Sequence, residues 1–117
     1  MDLRLDLTVH GDVPVLSLHG ELDLATVPRL HDRFVAVSSD HPGRVLVLDL
    51  DGVTSIDDAG FGALLGGLRR LTAHGGDVVA VCTSEALLHQ LHQCRLDRVF
   101  AVHPDVTAAV RAARAAP

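Results

Sequence analysis

The sequence contains no lysine, asparagine, tryptophan or tyrosine. All ten basic side chains are arginine, so a P-loop lysine, a Schiff-base lysine and other lysine-dependent chemistry are excluded. Aromatic residues make up only 3% of the chain, which leaves the core to aliphatic side chains and alanine. Basic residues form no run, and the formal net charge is −5. Phosphate neutralisation needs clustered cations, so no nucleic-acid partner is expected. No apolar run approaches the roughly 20 residues of a membrane-spanning helix. The start, Met1-Asp2-Leu3-Arg4-Leu5-Asp6, alternates apolar and charged residues and lacks the apolar stretch of an export signal. The two cysteines, Cys82 and Cys94, are therefore expected to be reduced thiols of a cytoplasmic protein and not a disulfide.

The chain does have 117 residues, 48% of them apolar. That is enough to bury a core without crosslinks, as one domain over residues 1–117. Leu3, Leu5, Leu7 and Val9 alternate as a half-buried strand, Gly11-Asp12 makes a turn, and Val13 to His19 alternates again. Val27, Leu30, Phe34 and Val37 recur at helical spacing, with Asp23 or Thr26 as cap and Pro28 in the first turn. Val45 to Leu50 is a nearly continuous apolar run, the pattern of a strand buried on both faces. Phe61, Leu64, Leu65, Leu68 and Leu71 mark a second helix, closed by His74-Gly75-Gly76. Val78 to Cys82 predicts another buried strand, and Ser84 caps a helix carrying Leu87, Leu88 and Leu91. Arg98 to Val102 predicts a short strand, and Pro104 opens an alanine-rich helix. The order β-β-α-β-α-β-α-β-α is that of an α/β fold: a mixed sheet of four to five strands, the later ones parallel, with about four helices.

Ser55-Ile56-Asp57-Asp58-Ala59-Gly60-Phe61-Gly62 falls where such folds carry their sites, between the carboxyl end of a strand and the next helix. The plainest role for Asp57 or Asp58 is to cap that helix, a contribution of about 1 kcal/mol. A receiver-type phosphoacceptor aspartate would require an acidic pair after the first strand and a late lysine, and neither exists here. Asp49, Asp51, Asp57 and Asp58 are hard oxygen ligands, but Gly52 to Ile56 separates the two pairs and no calcium-loop spacing is present. Gly60-Phe61-Gly62 lacks the third glycine of a dinucleotide fingerprint. No metal and no cofactor is therefore expected.

Elsewhere, His89 and His92 stand three residues apart near Cys94, a spacing that could give two metal ligands. No fourth ligand follows, and solvent-facing histidines are the simpler reading. Cys82 and Cys94 are expected to pack as small apolar residues. Thr54 and Ser55 are expected to end the strand, with phosphorylation as the alternative.

Three groups of residues together resemble the STAS domain, and more narrowly the bacterial anti-sigma factor antagonists. They are Gly20-Glu21-Leu22-Asp23, then Val47 to Asp57, then Gly60 to Leu65. Gly75-Gly76-Asp77, Val79 and Leu96 to Phe100 extend the match over nearly the whole chain. The resemblance implies a STAS fold, no enzymatic activity of its own, and a protein–protein switch. Such an antagonist binds an anti-sigma factor that is also a serine kinase with an ATPase fold, and thereby frees the sigma factor. Phosphorylation of a serine in the antagonist breaks the complex. Asp57 matches the family aspartate and Gly60 the family glycine, while the switch hydroxyl is replaced by Asp58. The resemblance implies Glu21, Asp23, Asp57, Asp58, Ala59, Gly60 and Phe61 as partner-binding residues, with Asp58 the equivalent of the phosphorylation site. A phosphoserine carries about −1.5 to −2 charge, so Asp58 imitates it incompletely and permanently. A homodimer is compatible with this reading. The alternative reading is a STAS-type accessory subunit of a transporter or a small-molecule or nucleotide sensor.

Overall fold

Alternating apolar residues at the start of the chain do form a hairpin. In the computed structural model, which describes residues 2–115, β1 (Leu3–His10) pairs antiparallel with β2 (Val13–Leu22). Among the described residues the rest is α1 (Val27–Asp40), β3 (Val45–Ile56), α2 (Asp58–Ala73), β4 (Asp77–Val81), α3 (Glu85–Gln93), a 3-10 turn (Leu96–Arg98), β5 (Val102–His103) and α4 (Val106–Ala115). The sheet order is β1-β2-β3-β4-β5, identical to the order along the chain. β2, β3, β4 and β5 run parallel, as the alternation of helices and apolar strands predicts.

That order decides where the helices go. Each parallel crossover joins neighbouring strands in the same direction, and such crossovers are right-handed. α1, α2 and α3 therefore fall on one face of the sheet. Their buried residues Leu30, Phe34, Leu64, Leu68, Leu71, Leu87 and Leu91 join Leu16, Leu18, Leu46 and Leu48 in one core. The other face is smaller. There Val13, Val15, Val47 and Val81 meet Ala109, Val110 and Ala113 of α4. Alternation in β2 thus sends valines to one face and leucines to the other.

Two expectations need correction. The strand read at Arg98 to Val102 is mostly a turn: Leu96 and Phe100 are both buried and the Phe100 N–H donates to the Leu96 carbonyl (3.2 Å). Their spacing of four is that of a helical turn, and Val99 between them points outward. Only Val102 and His103 pair with β4. Cys94 is also not buried, because it is the C-cap of α3 and exposed, whereas Cys82 is buried as expected. β3 is longer than its apolar run. Thr54 and Ser55 lie inside it, exposed, and the strand continues to Ile56. Among the described residues no helix is long and apolar enough to cross a membrane.

Candidate functional site

The carboxyl ends of β2 and β3 lie side by side, with Glu21 opposite Ser55 and Leu22 opposite Ile56. The chain then turns into α1 on one side and α2 on the other. Asp57 joins the two turns. Its N–H donates to the Leu22 carbonyl (3.1 Å). Its Oδ1 accepts from the Gly60 N–H (2.8 Å), so Asp57 is the N-cap of α2. Its Oδ2 accepts from the Leu24 N–H (3.3 Å), across 33 residues of chain. One carboxylate thus satisfies a helix N-terminus and ties down the β2–α1 turn. A cap is needed because the first N–H groups of a helix have no intrahelical partner.

Gly60 is buried one turn later because a side chain cannot fit: a Cβ there would lie 2.5 Å from the Leu22 carbonyl oxygen. α2 can begin this close to β2 only with glycine at that place. Ala59 and Phe61 are half-buried beside it, Phe61 packing on the main core.

Asp58 contrasts with its neighbour. It is the first residue of α2 and exposed. Among the described residues its carboxylate has no hydrogen-bond or ion-pair partner. Its negative charge suits the positive end of the helix dipole.

On the other side, the Asp23 carboxylate accepts from the N–H groups of Ala25 (3.0 Å) and Thr26 (3.1 Å). Thr26 is the N-cap by position, but its hydroxyl makes no cap bond. It donates instead to the Glu21 carbonyl (2.9 Å) and accepts from the Asp23 N–H (3.0 Å). Asp23, not Thr26, therefore organises the entry to α1. Leu24, held between these two acids, is 76% exposed. No sequence signal marks it, since a single leucine in a turn looks like any other.

The remaining acids do not converge on this site. Asp51 Oδ1 accepts from the N–H (2.7 Å) and hydroxyl (3.1 Å) of Thr83, and Asp49 accepts from the Asp51 N–H (3.1 Å). Asp51 thus joins β3 to the β4–α3 loop, while Asp49 is occupied within β3 itself. Burial pushes the Cys82 thiol up, and the charges of Asp51 and Asp49 add to it. His92 pairs with Asp97 (2.9 Å), and no group of three or more histidine, cysteine, aspartate or glutamate side chains placed to hold a metal exists among the described residues.

The site therefore presents a capped helix start beside an exposed acid. Residues 4–109 match the STAS domain, and the chain belongs to the STAS domain family. The anti-sigma F factor antagonist of Paenibacillus polymyxa is 28% identical over 91 residues, 78% of this chain and 77% of that protein. The crystal structure of an anti-sigma factor antagonist from Mycobacterium paratuberculosis is 29% identical, with a TM-score of 0.86 over 97% of this chain and 95% of that one. A sulfate transporter family protein from Wolinella succinogenes shares the fold at 20% identity, with a TM-score of 0.78 over 92% of this chain and 88% of that one. This chain is thus a STAS domain that resembles the anti-sigma factor antagonists. Its relatives of that kind are named for opposing another protein, not for catalysing a reaction.

Proposed function

We propose that this domain is a cytoplasmic anti-sigma factor antagonist whose docking surface is the end of the sheet carrying Glu21, Asp23, Asp57, Asp58, Ala59, Gly60 and Phe61. The partner is an anti-sigma factor with a serine-kinase, ATPase-type fold. Asp58 holds the domain in a state that imitates the phosphorylated antagonist, at about half the charge of a phosphoserine. One observation carries this reading: Asp58 is exposed and unpartnered at the first position of α2, while Asp57 alone serves the cap. An exposed acid that makes no hydrogen bond or ion pair among the described residues, at the place of a switch hydroxyl, is free to act outward. The alternative of a transporter accessory module has only a shared fold behind it.

The test is co-purification with ATPase-fold anti-sigma factors, comparing wild type with Asp58→Ser. Asp58→Ser is expected to bind about tenfold more tightly, a difference of about 1.4 kcal/mol, and to become a substrate of the partner's kinase activity. If neither form binds any such partner, the docking proposal fails. Equal binding by both forms would leave the docking surface standing and remove the imitation of a phosphoserine.

A further inference from the structure

The opposite end of the sheet carries a second constellation, independent of the proposed docking surface. A cleft of about 480 Å³ lies between α4 and the end of β1, lined by His10, Val106, Thr107, Val110, Arg111 and Arg114. That volume is within the roughly 300–1,000 Å³ of small-molecule sites. Two arginines and a histidine line it and no carboxylate does, in a chain whose formal net charge is −5.

The nearby acids are engaged elsewhere. Asp12 pairs with Arg44 (2.7 Å), and Asp105 accepts from the Ala108 N–H (2.7 Å) at the start of α4. Arg114 is held in place, because its Nη2 donates to the His10 carbonyl (3.0 Å). Its guanidinium occupies the space that a side chain at Gly11 would take, and Gly11 has the left-handed φ of +68°. Turn and arginine are thus fitted to each other. Arg111, one helical turn away on α4, has no partner among the described residues. Val106 and Val110, on the same helix, give the cleft an apolar side.

Guanidinium groups bind phosphate oxygens through paired, charge-assisted hydrogen bonds. We propose that this cleft binds a small phosphate monoester with an apolar body. Its phosphate sits between Arg111 and Arg114 and its body rests on Val106 and Val110. A phosphate borne by a free small molecule fits better than one in a lipid headgroup, since the net negative charge opposes approach to an anionic membrane.

The probe is phenyl phosphate, titrated into the isotope-labelled protein and followed by amide chemical shifts, with inorganic phosphate alongside. Saturable shifts are expected at residues 10–12 and 106–114 and not around Asp58, with phenyl phosphate bound more tightly than inorganic phosphate. Arg111→Gln, which breaks no internal bond, is expected to weaken binding about tenfold, and Arg111→Lys by less. Thr107→Val tests the hydroxyl without touching either cation and is expected to weaken binding modestly. Shifts that do not saturate, equal affinity for the two anions, or full affinity in Arg111→Gln would overturn the proposal. So would sedimentation with phosphatidic acid vesicles in the absence of phenyl phosphate binding, which would make the source a lipid.

Discussion

The two ends of the sheet put their charged side chains to different uses. At the carboxyl ends of the parallel strands, Asp23, Asp51 and Asp57 satisfy backbone N–H groups of the turns. At the other end two arginines hold the chain, Arg44 on Asp12 and Arg114 on the His10 carbonyl, and Asp77 is the acid that takes a backbone N–H, that of Val78. The difference follows from strand direction. Parallel strands feed helix N-termini at one end only, and free N–H groups there call for carboxylates. Acids at that end are therefore expected on structural grounds alone. Asp58 is distinguished by standing among them without such a task.

That contrast can be broken most strongly at Gly60. Gly60→Ala would drive a methyl group against the Leu22 carbonyl, and a backbone atom cannot rotate away. Alanine's better helix propensity offsets about 1 kcal/mol of the strain. A net loss of about 2 kcal/mol is expected, read as a lower urea midpoint with an unchanged slope. No comparable loss would mean that α2 can shift away from β2 at little cost.

The two adjacent acids should differ next. Asp57→Ala removes the cap and the link to Leu24 and is expected to cost about 1–2 kcal/mol. Asp58→Ala gives up only a favourable dipole interaction, about 0.5 kcal/mol or less. Equal losses in urea unfolding would show that Asp58 also supports the helix, and would remove the basis for giving it an outward role.

The smallest effect concerns Asp2, beside the Leu3 strand start. Its hydrogen bond from the Leu3 N–H, and then the Arg29 charge, hold its carboxyl below the ordinary value of 3.8. A lowered folded-state value means a contribution that is present above the unfolded value and lost as pH falls through the folded one. Asp2→Asn is therefore expected to lower the melting temperature slightly at pH 7, with the gap closing in strong acid. A gap that persists at low pH would assign the effect to something other than charge.

Most elements are legible in the sequence because one period dominates each of them. The valine and leucine alternation of β2 and the three- and four-residue spacings of α1 and α2 leave little choice. The segment after α3 is legible only in part, since Leu96 and Phe100 belong to a turn and an apolar stretch that short fits turn and strand equally. Arg95, which precedes that turn with a φ of +62°, gives no warning, because arginine has no preference for the left-handed region. The cap at Asp57 follows from its place before a helix. Its second bond, to Leu24, does not, since it depends on a contact across 33 residues. The exposure of Leu24 and the cleft under α4 likewise exist only once the strands are placed in order.

A sheet whose strands follow chain order must leave its first and last strands at the rims, where unpaired backbone groups invite another chain to add on. Here each rim is defended differently. β5 is only two residues long and offers almost no ladder to extend. β1 is eight residues long but carries Arg4, Asp6 and His10 on its exposed side, charged and polar groups that a strand stacking alongside would have to accommodate. The same layout thus discourages the sides of the domain from joining copies of itself into fibres.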